Sequence, residues 1–200
     1  LVRQIAAIDG VEDIALTTNG VHLPEHARAL ADAGLARVTV SLDSLDENVF
    51  QQMAGRDASP ERVLEGVPAA EAAGLRPIKI NCVAVRGVND HTLVDLARRF
   101  RGTGHIVRFI EFMDVGTLNE WREEQVVPAA EIVQRIGAEF PLEAVESSYR
   151  GEVARRYRYV DGAGEIGVVS SVTAPFCGDC SRVRLTSDGR VLTCLFAATG

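Results

Sequence analysis

Between Glu12 and Met113 the chain alternates two hydrophobic periods, one that suits strands and one that suits helices. Glu12–Thr17 predicts a strand. His22–Ala33 predicts a helix, with Pro24 near its start and Gly34 beyond its end. Arg37–Leu42 is the next strand, and helices follow near Asp46–Met53 and over Ser59–Ala73. In the second of these Ser59 caps the helix ahead of Pro60 and Gly74 stops it. Pro77–Val85 then predicts a strand, Asp90–Phe100 a helix and Ile106–Phe112 a strand. Strands separated by helices imply parallel β/α units. Four such strands are too few for a closed barrel, so part of a barrel or a small open sheet is expected.

After Met113 the pattern changes. Pro128–Ile136 predicts a helix, and short strands follow at Arg155–Val160, Glu165–Ser170, Arg182–Thr186 and Arg190–Cys194. Asp161-Gly162 and Asp188-Gly189 supply turn signals between them. The expectation is an antiparallel appendage that carries the cysteines.

Within the strands, side chains alternate between faces. Ile14 and Leu16 oppose Thr17 and Asn19. Val38, Val40 and Leu42 oppose Thr39, Ser41 and Asp43. Ile78, Ile80, Cys82 and Ala84 oppose Lys79 and Asn81. In the last strand Arg108, Ile110 and Phe112 are set against Glu111 and Met113, which leaves Arg108 on the outer face. A parallel sheet covered on both faces reads as continuous apolar runs, and this one does not. A curved sheet with helices outside and a ligand-holding lumen inside fits the pattern. A half-open sheet with one solvent face, or one covered by another chain, fits it too.

Composition narrows the chemistry. The chain has 200 residues and a net charge of −7, which argues against a broad nucleic-acid surface. No apolar run approaches the roughly 20 residues that span a bilayer, and no signal peptide is evident, so a cytoplasmic protein is expected. Of 21 basic residues only Lys79 is a lysine. That marks either a place for a compact ammonium or a chance of an arginine-biased composition. The histidines and the Glu120–Glu124 stretch read as solvated surface.

Three of the four cysteines fall at Cys177, Cys180 and Cys194, as C-x2-C-x13-C. A tight C-x2-C turn brings two thiolates to one centre. Three thiolates suit a 4Fe–4S cluster with one open iron. Zinc completed by another ligand and redox thiols remain open on spacing alone. Cys82, on an apolar strand face, reads as a buried core thiol. Between the second and third cysteines, Arg182 and Arg184 would share one side of a strand, a geometry that suits a polyphosphate. Two solvated surface arginines are the alternative.

The segments LTTNG at 16–20, SLDS at 41–44, IKIN at 78–81, GVND at 87–90, RFIEFMD at 108–114 and PFCGDCSRVRLTSDG at 175–189, leading to CLF at 194–196, recur in order and spacing. Together they resemble the GTP 3′,8-cyclase family of radical S-adenosylmethionine enzymes, known as molybdenum cofactor biosynthesis protein A. The resemblance covers essentially the whole chain, and its last motif is the most specific. It implies an α/β fold: part of an incomplete (β/α) TIM-like barrel over 1–125, then a small antiparallel β extension over 126–200 that holds an auxiliary 4Fe–4S cluster and a GTP site. It implies Cys177, Cys180 and Cys194 as cluster ligands, with the open iron meeting the guanine. It further implies Thr17, Lys79, Arg182 and Arg184 as GTP contacts, and Ser41 and Met113 as contacts to S-adenosylmethionine. No catalytic residue is singled out.

The implied reaction converts GTP to (8S)-3′,8-cyclo-7,8-dihydroguanosine 5′-triphosphate in molybdenum cofactor biosynthesis. A 5′-deoxyadenosyl radical takes the 3′ hydrogen, and the ribose carbon attacks C8 of guanine. The family suggests a homodimer. Its radical cluster uses a C-x3-C-x2-C motif followed by a Gly-rich segment, and neither occurs in these 200 residues. A fragment inactive by itself is therefore expected, with a second 4Fe–4S cluster in a part that precedes it. Two other readings stay in play. One is a different radical enzyme with an auxiliary cluster, which usually carries more cysteines. The other is a zinc-binding structural module, which would be colourless.

Overall fold

The computed structural model describes residues 1–55, 59–115 and 120–197. After a short helix α1 (Val2–Ala6), four parallel strands alternate with helices: β1 (Ala15–Thr18), α2 (Leu23–Asp32), β2 (Arg37–Ser41), α3 (Glu47–Ala54), α4 (Pro60–Ala72), β3 (Lys79–Ala84), α5 (Leu93–Phe100) and β4 (Ile106–Glu111). Helix α6 (Ala129–Glu139) follows, then β5 (Leu142–Val145), β6 (Arg155–Tyr159) and β7 (Glu165–Val169). One seven-stranded sheet results, in the order β1-β2-β3-β4-β7-β6-β5. The protein is thus mixed α/β with a mostly parallel sheet.

The helix signals act as expected. Asp46 accepts from the Val49 N–H at 3.0 Å to start α3, and Ser59 accepts from the Arg62 N–H at 3.3 Å ahead of Pro60. Helix α5 begins three residues later than the periodicity suggests. Asn89 and Asp90 instead accept from Val85 and Gly87 N–H, each at 2.8 Å, and hold a loop there. The expected strand 12–17 lies at Ala15–Thr18, and α1 and β5 went unread in the sequence.

The expected appendage is only partly separate. β7 pairs in parallel with β4, through Val107↔Ile166 to Ile110↔Val169, and β6 and β5 add antiparallel strands beyond it. Burial explains this: Ile166 and Val168 are each 1% exposed and join the main core. Among the described residues only the hairpin β8 (Arg184–Leu185) with β9 (Val191–Leu192) stands apart as a second sheet.

One sheet face and the helices form a single apolar core. Val38, Val40, Ile80, Cys82, Val107 and Phe109 pack with Leu23 of α2, Phe50 of α3, Val63 and Val67 of α4, Leu96 of α5 and Ile132 of α6. Gly20 of the TTNG motif has φ +81°, and a Cβ there would lie 3.0 Å from Val40. A Cβ on Gly66 of α4 would sit 2.6 Å from the Gly20 carbonyl, so both glycines permit this helix to close on the β1–α2 turn. Among the described residues no helix is long and apolar enough to cross a membrane.

Candidate functional site

The register aligns polar side chains in rows across the uncovered face. Thr17 pairs with Thr39, and Thr39 with Lys79. In the next row Ser41 pairs with Asn81, Asn81 with Arg108, Arg108 with Gly167, and Gly167 with Arg156. The expected parity therefore holds for β1 to β3 and fails for β4. Arg108 and Ile110 are half-buried on the polar face, while Val107, Phe109 and Glu111 are buried under the helices. A glutamate in that core is tolerated because its carboxylate is fully hydrogen-bonded, by Ala129, Val172 and Thr173.

Lys79 and Arg108 line one cleft of ≈ 240 Å³ with Arg37, Arg156, Glu152 and Glu165. Arg156 is committed to Glu165, at 2.6 Å. Burial first, then the neighbouring Arg108 and Arg37, push the Lys79 ammonium below its ordinary value. Burial likewise lowers Arg108. Gly167 leaves room for the Arg108 stem, since a Cβ there would lie 3.3 Å from Arg108 Cγ. Arg108, which alternation sets on the outer face, lies on the polar face instead, in register with Asn81. The Asn81 Oδ1 is buried and accepts no hydrogen bond. Thr17 is exposed and Ser41 half-buried on the same face, outside this cleft.

The second cavity, of ≈ 370 Å³, lies where β4 and β7 end. Cys177, Cys180, Cys194, Arg182, Arg184 and Met113 all line it. A 3-10 turn (Cys177–Asp179) carries the first cysteine, and the Cys180 N–H donates to the Cys177 carbonyl at 3.3 Å. Arg182 stacks 4.8 Å over the Phe176 ring and donates to Cys180 Sγ from Nε and Nη2, at 3.3 and 3.1 Å. The Arg182 backbone N–H, then its guanidinium, lower the Cys180 thiol from its ordinary value. Arg184 Nη1 is buried without a hydrogen-bond partner.

Among the described residues no three Cys, His, Asp or Glu side chains meet at metal-binding distance. The three thiols line one cavity without closing on a point. They are free and exposed, whereas Cys82 is buried at 0% exposure and donates to the Asp43 carbonyl at 3.4 Å. No histidine shares this cavity; His105 lines a different cleft, with Glu71 and Arg76. Three soft thiols, no imidazole and an unpaired buried guanidinium N–H suit an iron–sulfur cluster with an anionic neighbour.

The SLDS and GVND motifs are absorbed by structure. Asp43 Oδ1 accepts from the Val83 N–H at 2.8 Å, and Asn89 Nδ2 donates to the Asp43 and Val83 carbonyls, each at 2.8 Å. This buried knot ties the end of β2 to the end of β3 and so holds Ser41 beside Asn81.

The family model of the radical SAM superfamily matches residues 1–100. The chain belongs to the radical SAM superfamily. Membership implies a 4Fe–4S cluster and S-adenosylmethionine. A second family model, Molybdenum Cofactor Synthesis C, matches residues 105–200 of this radical SAM chain. A protein of Xanthomonas campestris pv. campestris named GTP 3′,8-cyclase is 52% identical over all of the chain and 59% of its own length. One so named from Acidothermus cellulolyticus is 53% identical over all of the chain and 55% of its own. Another, from a Synechococcus species, is 48% identical over 96% of the chain and 58% of its own. The chain thus spans less than two thirds of the length of the curated relatives it matches.

Proposed function

We propose that this chain supplies the substrate pocket and the auxiliary-cluster site of a GTP 3′,8-cyclase. The observation that carries the reading is the cavity in which three free thiols, Arg182, Arg184 and Met113 come together. The relatives' shared name and the molybdenum cofactor family model support the choice of GTP.

Cys177, Cys180 and Cys194 would supply the thiolates for an auxiliary 4Fe–4S cluster. Arg182 and Arg184 meet a phosphate-bearing ligand with their paired N–H groups. The cleft of Lys79 and Arg108 neighbours this cavity along β7. Gly167 lines the cleft and Val169, on the same strand face, lines the thiol cavity. With Val153 and Ala154 likewise divided between the two, one nucleotide lying along β7 reaches both. Met113 and Ser41 face S-adenosylmethionine, and Thr17 the nucleotide, from the open face of an incomplete barrel. Residues 1–125 serve the radical chemistry and 126–200 the auxiliary cluster and GTP, although β5–β7 belong to the shared sheet.

S-adenosylmethionine facing Ser41 and Met113, with a radical cluster, would supply radical chemistry at the 3′ carbon of GTP. The chain's own residues hold the ribose and guanine in one orientation and exclude water from the reacting atoms. The test is anaerobic incubation of the whole protein with GTP, S-adenosylmethionine and a reductant. A 3′,8-cyclised nucleotide in the mass spectrum is expected, and its absence while 5′-deoxyadenosine forms would refute GTP as substrate.

A further inference from the structure

Glu111 ends β4 on the helix-covered face and is fully buried, at 0% exposure. Its two oxygens serve elements distant in sequence. Oε1 accepts from the Ala129 N–H at the start of α6, at 2.7 Å, and from the Thr173 hydroxyl. Oε2 accepts from the Val172 and Thr173 N–H groups, at 2.7 and 2.8 Å. The Glu111 carbonyl also accepts from the Ser171 hydroxyl, at 3.2 Å.

An apolar side chain here would leave the Ala129, Val172 and Thr173 N–H groups without their acceptor. What glutamate adds is a rigid tie between the strand end and the 171–173 turn. Both lead directly to the thiol cavity. Met113 lies just past Glu111, Cys177 follows the turn, and Ser171 itself lines the cavity. Past Thr173, the segment to Cys177 runs largely exposed, and its further ties are the Ser170 hydroxyl on the Ala174 carbonyl, at 3.3 Å, and Arg182 over the Phe176 ring.

We propose that Glu111 is a positioning residue for the auxiliary cluster: its carboxylate fixes the Cys177–Cys180 turn at the end of β4, so that the thiolates meet the cluster in one geometry. This rests on the reading of the thiol cavity as a cluster site. Glu111 touches neither cluster nor substrate, and acts through the Thr173 hydroxyl as well as through the backbone of Val172 and Thr173. Groups hydrogen-bonded to metal ligands commonly matter for metal retention nearly as much as the ligands themselves, and Glu111 acts one step further out, on the segment that leads to Cys177.

Three variants of the chain, reconstituted without oxygen, separate positioning from general stability. Glu111→Gln replaces one accepting oxygen with a donor. Thr173→Val removes one hydroxyl on the cysteine side and leaves both N–H groups. Ala129→Pro removes the donor on the helix side, at a first-turn position that suits proline. Iron and sulfide per chain, iron release to a chelator and the electron paramagnetic resonance spectrum of the reduced cluster are measured. Glu111→Gln and Thr173→Val should release iron about tenfold faster or more, with a broadened, heterogeneous spectrum. Ala129→Pro should lower the thermal midpoint and keep the wild-type spectrum. Wild-type release and spectrum in Thr173→Val would overturn the proposal, even if Glu111→Gln fails to fold. So would the same spectral change in Ala129→Pro, since it would mark general loosening. A wild-type chain that takes up no iron sinks the cluster reading itself, and this proposal with it. Iron-loaded wild type with unaltered variants sinks positioning alone.

Discussion

The helix-covered sheet and the cysteine-bearing hairpin hold themselves together by different means. In the sheet, Val40, Ile80 and Phe109 are each at 0% exposure, and every helix from α2 to α6 adds side chains to the same core. In the hairpin region, Val183, Leu185, Val191 and Phe196 are 55 to 74% exposed. Its contacts are local turns: Thr186 with Asp188 and Arg190, and Arg182 with Cys180. The sheet is stabilised by what the chain buries. The hairpin is organised around a cavity of thiols and guanidiniums, and a bound group there would supply much of its order, since metal binding and local folding are one free energy.

If packing alone holds the sheet, Phe109→Ala should cost about 3–5 kcal/mol. Leu185→Ala, in the hairpin, should cost no more than about 0.5 kcal/mol. Urea denaturation midpoints with unchanged slopes would measure both. Equal losses would mean that the hairpin carries a hidden share of the core.

The next effect in size belongs to the ligand side. Losing one charge-assisted contact costs roughly 1.5–3 kcal/mol, about ten- to a hundredfold in affinity. Arg184→Ala should weaken GTP binding by that factor in the cluster-loaded protein, with iron content unchanged. Arg184→Lys should recover only part of the loss, because a lysine lacks the fork. Equilibrium binding under anaerobic conditions decides it. Unchanged affinity in both would leave the thiol cavity without a nucleotide.

The smallest effect is a pH dependence at Lys79. Its pKa in the fold lies below the unfolded value, so the protonated amine is disfavoured by folding. That destabilisation is fully present below the folded pKa and is relieved as pH rises from there toward the unfolded value. Without nucleotide, Lys79→Met should therefore melt slightly above the wild type at neutral pH, and the gap should close as pH approaches the ordinary lysine range. A gap that widens with pH would reverse the sign and place an anion of the protein beside Lys79.

Much of the sheet was legible because β1, β2 and β3 obey strict alternation, so Lys79 and Asn81 could be placed on one face from spacing alone. β4 was misread because its most polar residue is its most buried. Glu111 looks like a lumen group until Ala129, Val172 and Thr173, all distant from it in sequence, are seen to satisfy it. β7 was read as part of an appendage because parallel pairing with β4 leaves no local signature: no turn connects them. The three cysteines and two arginines were legible as a group because their spacing is short, and the fold places them around one cavity. Arg108 was not, because its relevance depends on its register with Asn81.

That β4–β7 pairing also fixes a timetable for synthesis. β4 ends at Glu111, and its free edge waits for a partner that begins at Glu165. At ribosomal speeds of about 5–20 residues per second, the edge stays open for roughly 3–10 s. Through that interval Val107, Phe109 and their neighbours border an unpaired strand, a template on which another nascent chain could add. Any interruption of translation before β7 emerges leaves the edge of β4 unpaired, so demand for chaperone protection should peak while residues 112–164 are being made.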